Sequence, residues 1–392
     1  MSDCYAPQGE VRLKRGREAS VLRGHPWVYR GALGGAGLEF TGPVLVLTAS
    51  GAPLGVAMPG GSGGSLALRM LTSGEENWSR ETLVSRVRAA VELRHRVAID
   101  ADAYRLLHAE GDRFPGLVAD WYAGVVVVQL YEPGWQPFLA DLTAALAELT
   151  GARTVLLRRG DARTSSPGVL LGSAPEEPVT IREGVAHYPV DLVAGQKTGF
   201  FLDQRENRRR LGELAAGSSV LNLFSYSGGF AVAALLGGAA RAVNVDASAP
   251  ALALARRAYR LNGLDETAES FVAGDAFVVS RELAAAGQRF DVVVVDPPAF
   301  VKRQADLRRG LQGYRDINLQ ALRLLAPQGL LLTCSCSALL DETTFGQMLQ
   351  AAAIDAGRHV RVLERRGAGP DHPVALACPE TRHLKVFLCA VA

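Results

Sequence analysis

The sequence predicts an α/β protein with a C-terminal Rossmann-like domain, a β-rich N-terminal segment and a central α/β region. Three observations carry this. From about residue 203, helical and strand patterns alternate without interruption, which implies a parallel sheet covered by helices on both faces. The run Val292-Val293-Val294-Val295 is continuously apolar, as a strand buried on both sides requires. Residues 11–71, by contrast, hold short apolar strands separated by turn residues, with little helical periodicity.

The length of 392 residues suggests two or three domains, and 48% hydrophobic with 21% charged residues can support a sizeable core. No apolar run approaches the length of a membrane span, and the polar start Met1-Ser2-Asp3-Cys4 has no hydrophobic leader. Five cysteines without a C-x-x-C pair suggest neither a disulfide framework nor a structural zinc site. The expectation is a cytoplasmic, reduced protein without a metal. Only four of its 42 basic residues are lysine: Lys14, Lys197, Lys302 and Lys385. Arginine suits phosphate contacts, although a bias toward GC-rich codons is the better explanation of the total, since Ala and Gly are also abundant.

In chain order, strands are expected at 11–14, 43–48, 54–58 and 65–71, with a loop at 60–64. Leu83, Val84, Val87, Val91 and Val97 fall at helical spacing and predict a helix over 79–98. Strands follow at 104–109, 117–121 and 125–130, the last two forming a hairpin across Tyr122-Ala123-Gly124. Next come a helix at 136–149, a strand at 154–158, a polar loop at 160–177 and a strand at 185–193. The alternating half reads as helices at 203–215, 229–236, 249–262, 276–286, 313–325 and 341–356. Its strands are 219–224, 242–246, 270–273, 290–295 and 329–335. Two last strands, 359–363 and 383–391, form an antiparallel pair at the sheet edge.

In open parallel sheets, ligands bind beyond the carboxyl ends of strands. Those ends carry Asn222-Leu223-Phe224-Ser225-Tyr226-Ser227-Gly228-Gly229, Asp246, Gly274-Asp275-Ala276, Asp296-Pro297-Pro298-Ala299-Phe300 and Thr333-Cys334-Ser335-Cys336-Ser337. No G-x-G-x-x-G occurs, which disfavours a nicotinamide dinucleotide. An acid placed for a ribose, without a pyrophosphate cradle, suits S-adenosylmethionine (SAM). Asp246 would bind the ribose hydroxyls and Asp275 the adenine amino group. Alone, Asp246 is more simply a strand-end cap. The prolines stiffen the loop after Asp296, and Phe300 lies just beyond. This loop resembles the D/N-P-P-Y box of amino-group methyltransferases, with Ala299 interposed before the aromatic. Most buried cysteines are small hydrophobes. A cysteine beside an Asp-Pro-Pro loop, however, is what methylation of cytosine carbon 5 needs: a thiolate added at carbon 6 makes carbon 5 nucleophilic. Strand alternation puts Cys334 and Cys336 on one face, Cys336 nearer the active end.

Taken in order, these motifs resemble the class I SAM-dependent 23S ribosomal RNA cytosine carbon-5 methyltransferases with an N-terminal PUA domain. The likeness rests also on Gly16-Arg17-Glu18, Arg23-Gly24-His25-Pro26-Trp27-Val28, and Lys197-Thr198-Gly199-Phe200-Phe201-Leu202-Asp203-Gln204-Arg205. Gly313-Tyr314-Arg315-Asp316-Ile317-Asn318 and Asp371-His372-Pro373 complete it. The resemblance implies a PUA RNA-binding domain at 1–72, a central α/β domain at 73–187 and a methyltransferase domain at 188–392. It implies Cys336 as nucleophile and Asp296 as its catalytic partner. The implied SAM site comprises Gln204, Asn222, Phe224, Ser225, Tyr226, Ser227, Gly228, Asp246, Ala247, Asp275, Ala276 and Asp296. The implied RNA contacts are Pro297, Pro298, Phe300, Arg308 and Arg309. Arg308 and Arg309 sit in a basic stretch with Gly310 and Gly313, read as a mobile loop. The expected partner is large-subunit ribosomal RNA and not a membrane. The oligomeric state stays open, a homodimer included.

Three other readings stay open. Methylation of a guanine ring nitrogen or an exocyclic amino group would leave the cysteines structural. An NAD oxidoreductase lacks its glycine fingerprint. An RNA-binding assembly factor would have no use for an intact SAM site.

Overall fold

The computed structural model describes residues 4–35, 40–60, 65–159, 167–195 and 198–392, and every element below belongs to these. They form two compact units. The first takes the chain to Val179, with Asp191–Phe200 and Pro370–Thr381. The second takes Thr180–Val190, Phe201–Gly369 and Arg382–Ala392.

The first unit begins with β1 (Glu10–Arg12), the short helix α1 (Ala19–Leu22), β2 (Trp27–Tyr29), β3 (Val44–Leu47), β4 (Pro53–Pro59) and β5 (Leu66–Met70), in a sheet of order β1-β3-β4-β5-β2. Alternating Val44, Val46, Ala57 and Leu68 close its core. The helix α2 (Arg80–Arg96) starts at Ser79, whose Oγ accepts the Thr82 N–H. A second sheet follows with β6 (Ala103–His108), β7 (Leu117–Tyr122), β8 (Val125–Leu130), the helix α3 (Leu139–Thr150), β9 (Thr154–Arg159) and β10 (Gly168–Leu171), in order β10-β9-β8-β7-β6. The β7–β8 hairpin turns on Ala123 and Gly124, at φ 46° and 99°. Its core of Leu83, Val87, Trp135 and Phe138 runs on without a break into Tyr5, Val56, Met58 and Leu71. Asp371 is fully buried here: its Oδ2 accepts the Arg105 N–H and its carbonyl accepts from Arg94, which also grips Asp112 with both guanidinium ends. The Asp-His-Pro motif thus serves packing.

The second unit opens on the pair β11 (Val179–Glu183) and β12 (Ala186–Val190), then α4 (Arg205–Leu214). The alternating region follows: β13 (Ser219–Leu223), α5 (Gly229–Leu236), β14 (Arg241–Asp246), α6 (Ala249–Leu261), β15 (Phe271–Ala273), α7 (Ala276–Ala285), β16 (Phe290–Val295), α8 (Leu307–Leu324) and β17 (Leu325–Ser335). It ends with α9 (Glu342–Ala356), β18 (Val360–Arg366) and β19 (Lys385–Val391). The seven-stranded sheet has the order β15-β14-β13-β16-β17-β19-β18. Strands β13 to β17 are parallel, and β19 runs against its neighbours β17 and β18. The chain steps outward from β13 to β15, then returns to the other side of β13 for β16. The crevice between β13 and β16 is therefore the topological switch point.

Three expectations need correction. Within the expected loop 160–177, β10 pairs antiparallel with β9, while residues 160–166 lie outside the described ones, as do 61–64 of the expected glycine loop, Gln196 and Lys197. Strands β2 and β11 were not foreseen, because three to five residues are too short for a periodic signal. The expected mobile loop around Arg308 is helical: α8 begins at Leu307, six residues before the predicted start at 313. Gly310 and Gly313 have a packing reason. A Cβ at Gly310 would lie 2.4 Å from Val301 Cγ2 and 2.9 Å from the Phe300 carbonyl, and one at Gly313 would lie 3.3 Å from the Phe300 ring. The helix needs a bare flank where the Asp-Pro-Pro segment lies on it.

Candidate active site

The loop after β13 holds an unusual backbone. Phe224 and Tyr226 adopt φ of 58° and 46°, the left-handed region that bulky side chains avoid, and Gly228 adopts 75°. Each such non-glycine residue costs about 1–3 kcal/mol and persists only where its surroundings enforce it. Here the Ser225 N–H donates to the Val245 carbonyl at 2.9 Å and the Gly228 N–H to the Ser225 carbonyl at 2.8 Å. Asp246 clamps the loop from β14: its Oδ2 accepts the Tyr226 N–H and its Oδ1 the Ser248 N–H, both at 2.8 Å. At Gly228 a Cβ would meet Ala255 Cβ at 3.0 Å, so α6 also demands glycine there.

Beneath the loop, Asn222 is buried and donates to Asn244, which donates on to Tyr259 and the Ser270 carbonyl. Asn222 therefore supports the loop from below. The hydroxyls of Ser225 and Ser227 are buried and have no hydrogen-bond partner. Such groups cost about 1–3 kcal/mol each unless something satisfies them. Asp275 is exposed and caps α7, its Oδ1 accepting from Phe277 and Val278 N–H. Its other oxygen has no such duty. Ala276 is buried as the first residue of α7 and Ala247 is exposed beside Asp246.

Across the crevice, Asp296 directly follows the end of β16, with Pro297 buried and Pro298 exposed. Phe300 packs among rings, with centroids 4.7 Å from Tyr314, 5.9 Å from Phe277 and 6.3 Å from Phe224. The two cysteines differ sharply. Cys334 is fully buried within β17, and its thiol is pushed well up by burial and by the Asp296 charge. Cys336 lies one residue past the strand and is partly exposed. The serines on either side of it are anchored. Ser335 Oγ donates to the Tyr314 hydroxyl at 3.0 Å, and the Ser337 Oγ meets that hydroxyl at 2.9 Å while accepting the Val301 N–H at 3.1 Å. Tyr314 thus ties the strand end carrying Cys336 to the segment following Asp-Pro-Pro.

Sequence reasoning passed over two neighbours, Lys385 and His383. Lys385 is buried at the start of β19, paired in register with Ser335, and donates to the carbonyls of Ser337 (2.7 Å) and His383 (2.8 Å). His383 Nε2 lies 3.0 Å from Asp203 Oδ2, in the turn Leu202–Gln204 that leads into α4. Gln204 in that turn is buried, accepts from Asn207 and lies against the Cys334 thiol. The only signal for Lys385 and His383 was the short stretch His383-Leu384-Lys385 opening an apolar strand, whereas Asp203 and Gln204 stood in the Lys197–Arg205 motif. Arg308 and Arg309 lie in the first turn of α8, exposed and without an acidic partner among the described residues.

These residues converge at the carboxyl ends of a switch-point sheet, and their chemistry matches known proteins over most of the chain. The profile of the S-adenosylmethionine-dependent methyltransferase family matches residues 104–382. The chain belongs to this family. A PUA-like domain matches residues 11–73. "Ribosomal RNA large subunit methyltransferase I" of Aeromonas hydrophila subsp. hydrophila is 40% identical over 387 residues, covering 96% of this chain and 97% of the relative. The protein of the same name from Erwinia tasmaniensis is 37% identical over 389 residues, covering 97% and 98%. A solved structure from Streptococcus mutans, proposed to be a SAM-dependent methyltransferase, shares the fold with a TM-score of 0.86 at 23% identity, over 97% of this chain and 99% of that one. A second, complexed with SAH, gives 0.87 at 22% over the same shares.

The cofactor of this methyltransferase is accordingly SAM. The residues present fit it. The crevice offers two unsatisfied buried hydroxyls, a carboxylate after β14 and a loop clamped around Gly228, and it has no pyrophosphate cradle. No helix is long and apolar enough to cross a membrane among the described residues. One group of those residues could hold a metal ion: His25, Cys378 and Glu380, in the first unit, with ligand atoms within 4.8 Å of one another. There the Trp27 N–H donates to His25 Nδ1, which leaves the proton on Nε2, facing Glu380 at 3.5 Å. The trio as it stands is a hydrogen-bonded histidine–carboxylate pair beside a thiol.

Proposed function

We propose that this methyltransferase acts on carbon 5 of a cytosine in large-subunit ribosomal RNA, through a covalent adduct at Cys336. The observation that carries the reading is the contrast between the cysteines. Cys336 is partly exposed and held between anchored serines beside the Asp-Pro-Pro loop, whereas Cys334 is sealed in the sheet. The names of the relatives support ribosomal RNA as substrate.

Bound SAM supplies an electrophilic methyl group. Cys336 as thiolate adds to carbon 6 of a cytosine flipped or splayed into the crevice, and Asp296, which must first gain a proton, hydrogen-bonds ring nitrogen 3 as electron density moves to it. Carbon 5, now enamine-like, takes the methyl group. Loss of the carbon-5 proton to a base then expels the Cys336 thiolate and restores the 5,6 double bond. A nucleoside digest of RNA methylated by the enzyme tests this: 5-methylcytidine is expected. A methylated guanine nitrogen or exocyclic amino group would replace the reading by its runner-up and make Cys336 structural.

For the cofactor, we place the ribose on Asp246, the adenine amino group on Asp275, and polar groups of SAM on Ser225 and Ser227. Phe224, Tyr226, Gly228, Ala247 and Ala276 shape the pocket around them. Asp246→Ala is expected to weaken SAM binding by about 1.5–3 kcal/mol, roughly ten- to a hundredfold. The loop it clamps loosens at the same time, because the Tyr226 N–H loses its acceptor. Calorimetry showing unchanged affinity removes Asp246 from the site.

We assign RNA anchoring to the PUA-like domain, where Arg12, Lys14, Arg15, Arg17 and Arg23 are all exposed and none meets an acidic partner among the described residues. Removing residues 1–71 would not test this cleanly, since Val56, Met58 and Leu71 belong to the core shared with α2 and β6 to β9. Replacing the five cations by glutamine leaves that core intact. RNA affinity should fall and the slope of log K against log salt should flatten by up to about 3.5, at roughly 0.7 for each phosphate that is no longer neutralised. SAM affinity should not move. An unchanged salt slope returns this surface to ordinary solvated charge.

A further inference from the structure

Lys385 is a buried cation in an unusual setting. It is 4% exposed, yet no carboxylate lies within ion-pair distance of it among the described residues. An ammonium has three N–H donors. Two are spent on the backbone carbonyls of Ser337 and His383, which carry partial charge only. Most buried cations are paired with an anion, because solvation lost on burial must be replaced.

The surroundings point to one missing anion. Lys385 sits opposite Ser335 in the β17–β19 ladder, and its bond to the Ser337 carbonyl spans Cys336, the residue between the two anchored serines. Two carbonyls fix the ammonium at this position, and Tyr314 fixes the serines. We infer that Lys385 is a positioning residue whose ammonium holds Cys336 as a thiolate ready for attack. The inference rests on the reading of Cys336 as nucleophile. The step balances with solvent: the Cys336 thiol releases its proton to water, and the thiolate left behind is neutralised by the ammonium already present on Lys385.

Other charges around the pair work in both directions. Arg382 opposes the charge on Lys385, while Asp341 and Glu342 favour it. Asp296 opposes thiolate formation at this end of the sheet, as its effect on Cys334 shows. Burial is the largest influence on Lys385 and brings it down to about 8, with the Cys336 charge the largest opposing influence. Lys385 is thus mostly charged at pH 7, so the ammonium is in place before the thiol ionises.

The test is the pH dependence of Cys336 alkylation by iodoacetamide in the full-length protein, followed by peptide mass spectrometry. The wild-type midpoint should lie below the ordinary thiol value of about 8.5. Lys385→Gln should raise it by about one unit and slow alkylation at pH 7 about tenfold, and Lys385→Arg should keep it low. The kcat for methyl transfer should fall in Lys385→Gln, with SAM and RNA affinity unchanged. A wild-type midpoint at or above the ordinary value overturns the proposal without any variant. An unchanged midpoint in Lys385→Gln does so too, and Lys385→Met makes the same comparison if the glutamine variant fails to fold. RNA carrying 5-fluorocytosine separates the two readings. An ordinary Cys336 profile with an adduct still formed there removes the role of Lys385 and leaves the nucleophile. A lowered profile with no adduct removes the carbon-5 chemistry and leaves the Lys385–Cys336 pair.

Discussion

Cys336→Ala should abolish methyl transfer while SAM and RNA still bind. A thiol that acts only in the chemical step contributes to the transition state and not to the ground-state complex, so its loss falls on kcat. Without it, cytosine carbon 5 has no route to becoming nucleophilic, and a loss of at least about a thousandfold is expected, of the size seen when a covalent nucleophile is removed. RNA with 5-fluorocytosine at the target should trap an adduct, because fluorine at carbon 5 cannot leave as a proton does. That adduct should form with Cys334→Ala and not with Cys336→Ala. The burial of Cys334 and the upward push on its thiol make it a poor nucleophile at neutral pH. An adduct on Cys334 would reverse the assignment, and full activity of the double variant would end the carbon-5 mechanism.

Glu183→Gln should destabilise the fold by about 3–5 kcal/mol, the cost of stranding a buried charge. Arg208 from α4 grips both oxygens of Glu183 on β11, at 2.9 and 2.7 Å, and both side chains are buried. Its remaining arm donates to the Phe201 carbonyl, and its guanidinium lies 5.8 Å from the Tyr188 ring centroid. Burial opposes the charge on Arg208 and Glu183 supports it; a guanidinium is not deprotonated in proteins, so it stays charged when its partner is neutralised. The pair also holds the turn that carries Asp203 and Gln204. Urea denaturation should therefore show a loss of stability in Glu183→Gln, and a double variant with apolar residues at both positions should recover most of it. A loss below about 1 kcal/mol would show that Gln or water replaces the carboxylate without cost.

The alternating half was legible because its signals are local. Strand β16 covers the expected residues Phe290–Val295 and ends with its valine run, and α5 spans the expected residues between the serine–glycine loop and Gly237. The antiparallel pair at the end also lies at the sheet edge as expected, with β18 outermost. Where the signal was composition, the reading failed. Arginines and glycines at 308–313 suggested a mobile loop, but the glycines answer a neighbour distant in neither sequence nor space, the Phe300–Val301 segment lying on α8. Asp246 shows the opposite limit. Its place at a strand end and its local bond from the Ser248 N–H follow from neighbours in the chain, yet its grip on the Tyr226 N–H depends on a loop folding back from another strand.

The sequence by itself determined the order of elements, the residues at the carboxyl ends of the strands and the motifs that place the chain in its family. Periodicity, turn chemistry and motif spacing are properties of neighbours along the chain. Tertiary structure alone decided which cysteine is reachable, since Cys334 is sealed within β17 and Cys336 lies one residue past its end, partly exposed. It alone brought Lys385 to Ser337 and His383 to Asp203, the latter pair 180 residues apart. Burial and electrostatic environment are set by residues far away in the chain, so no local pattern can announce them.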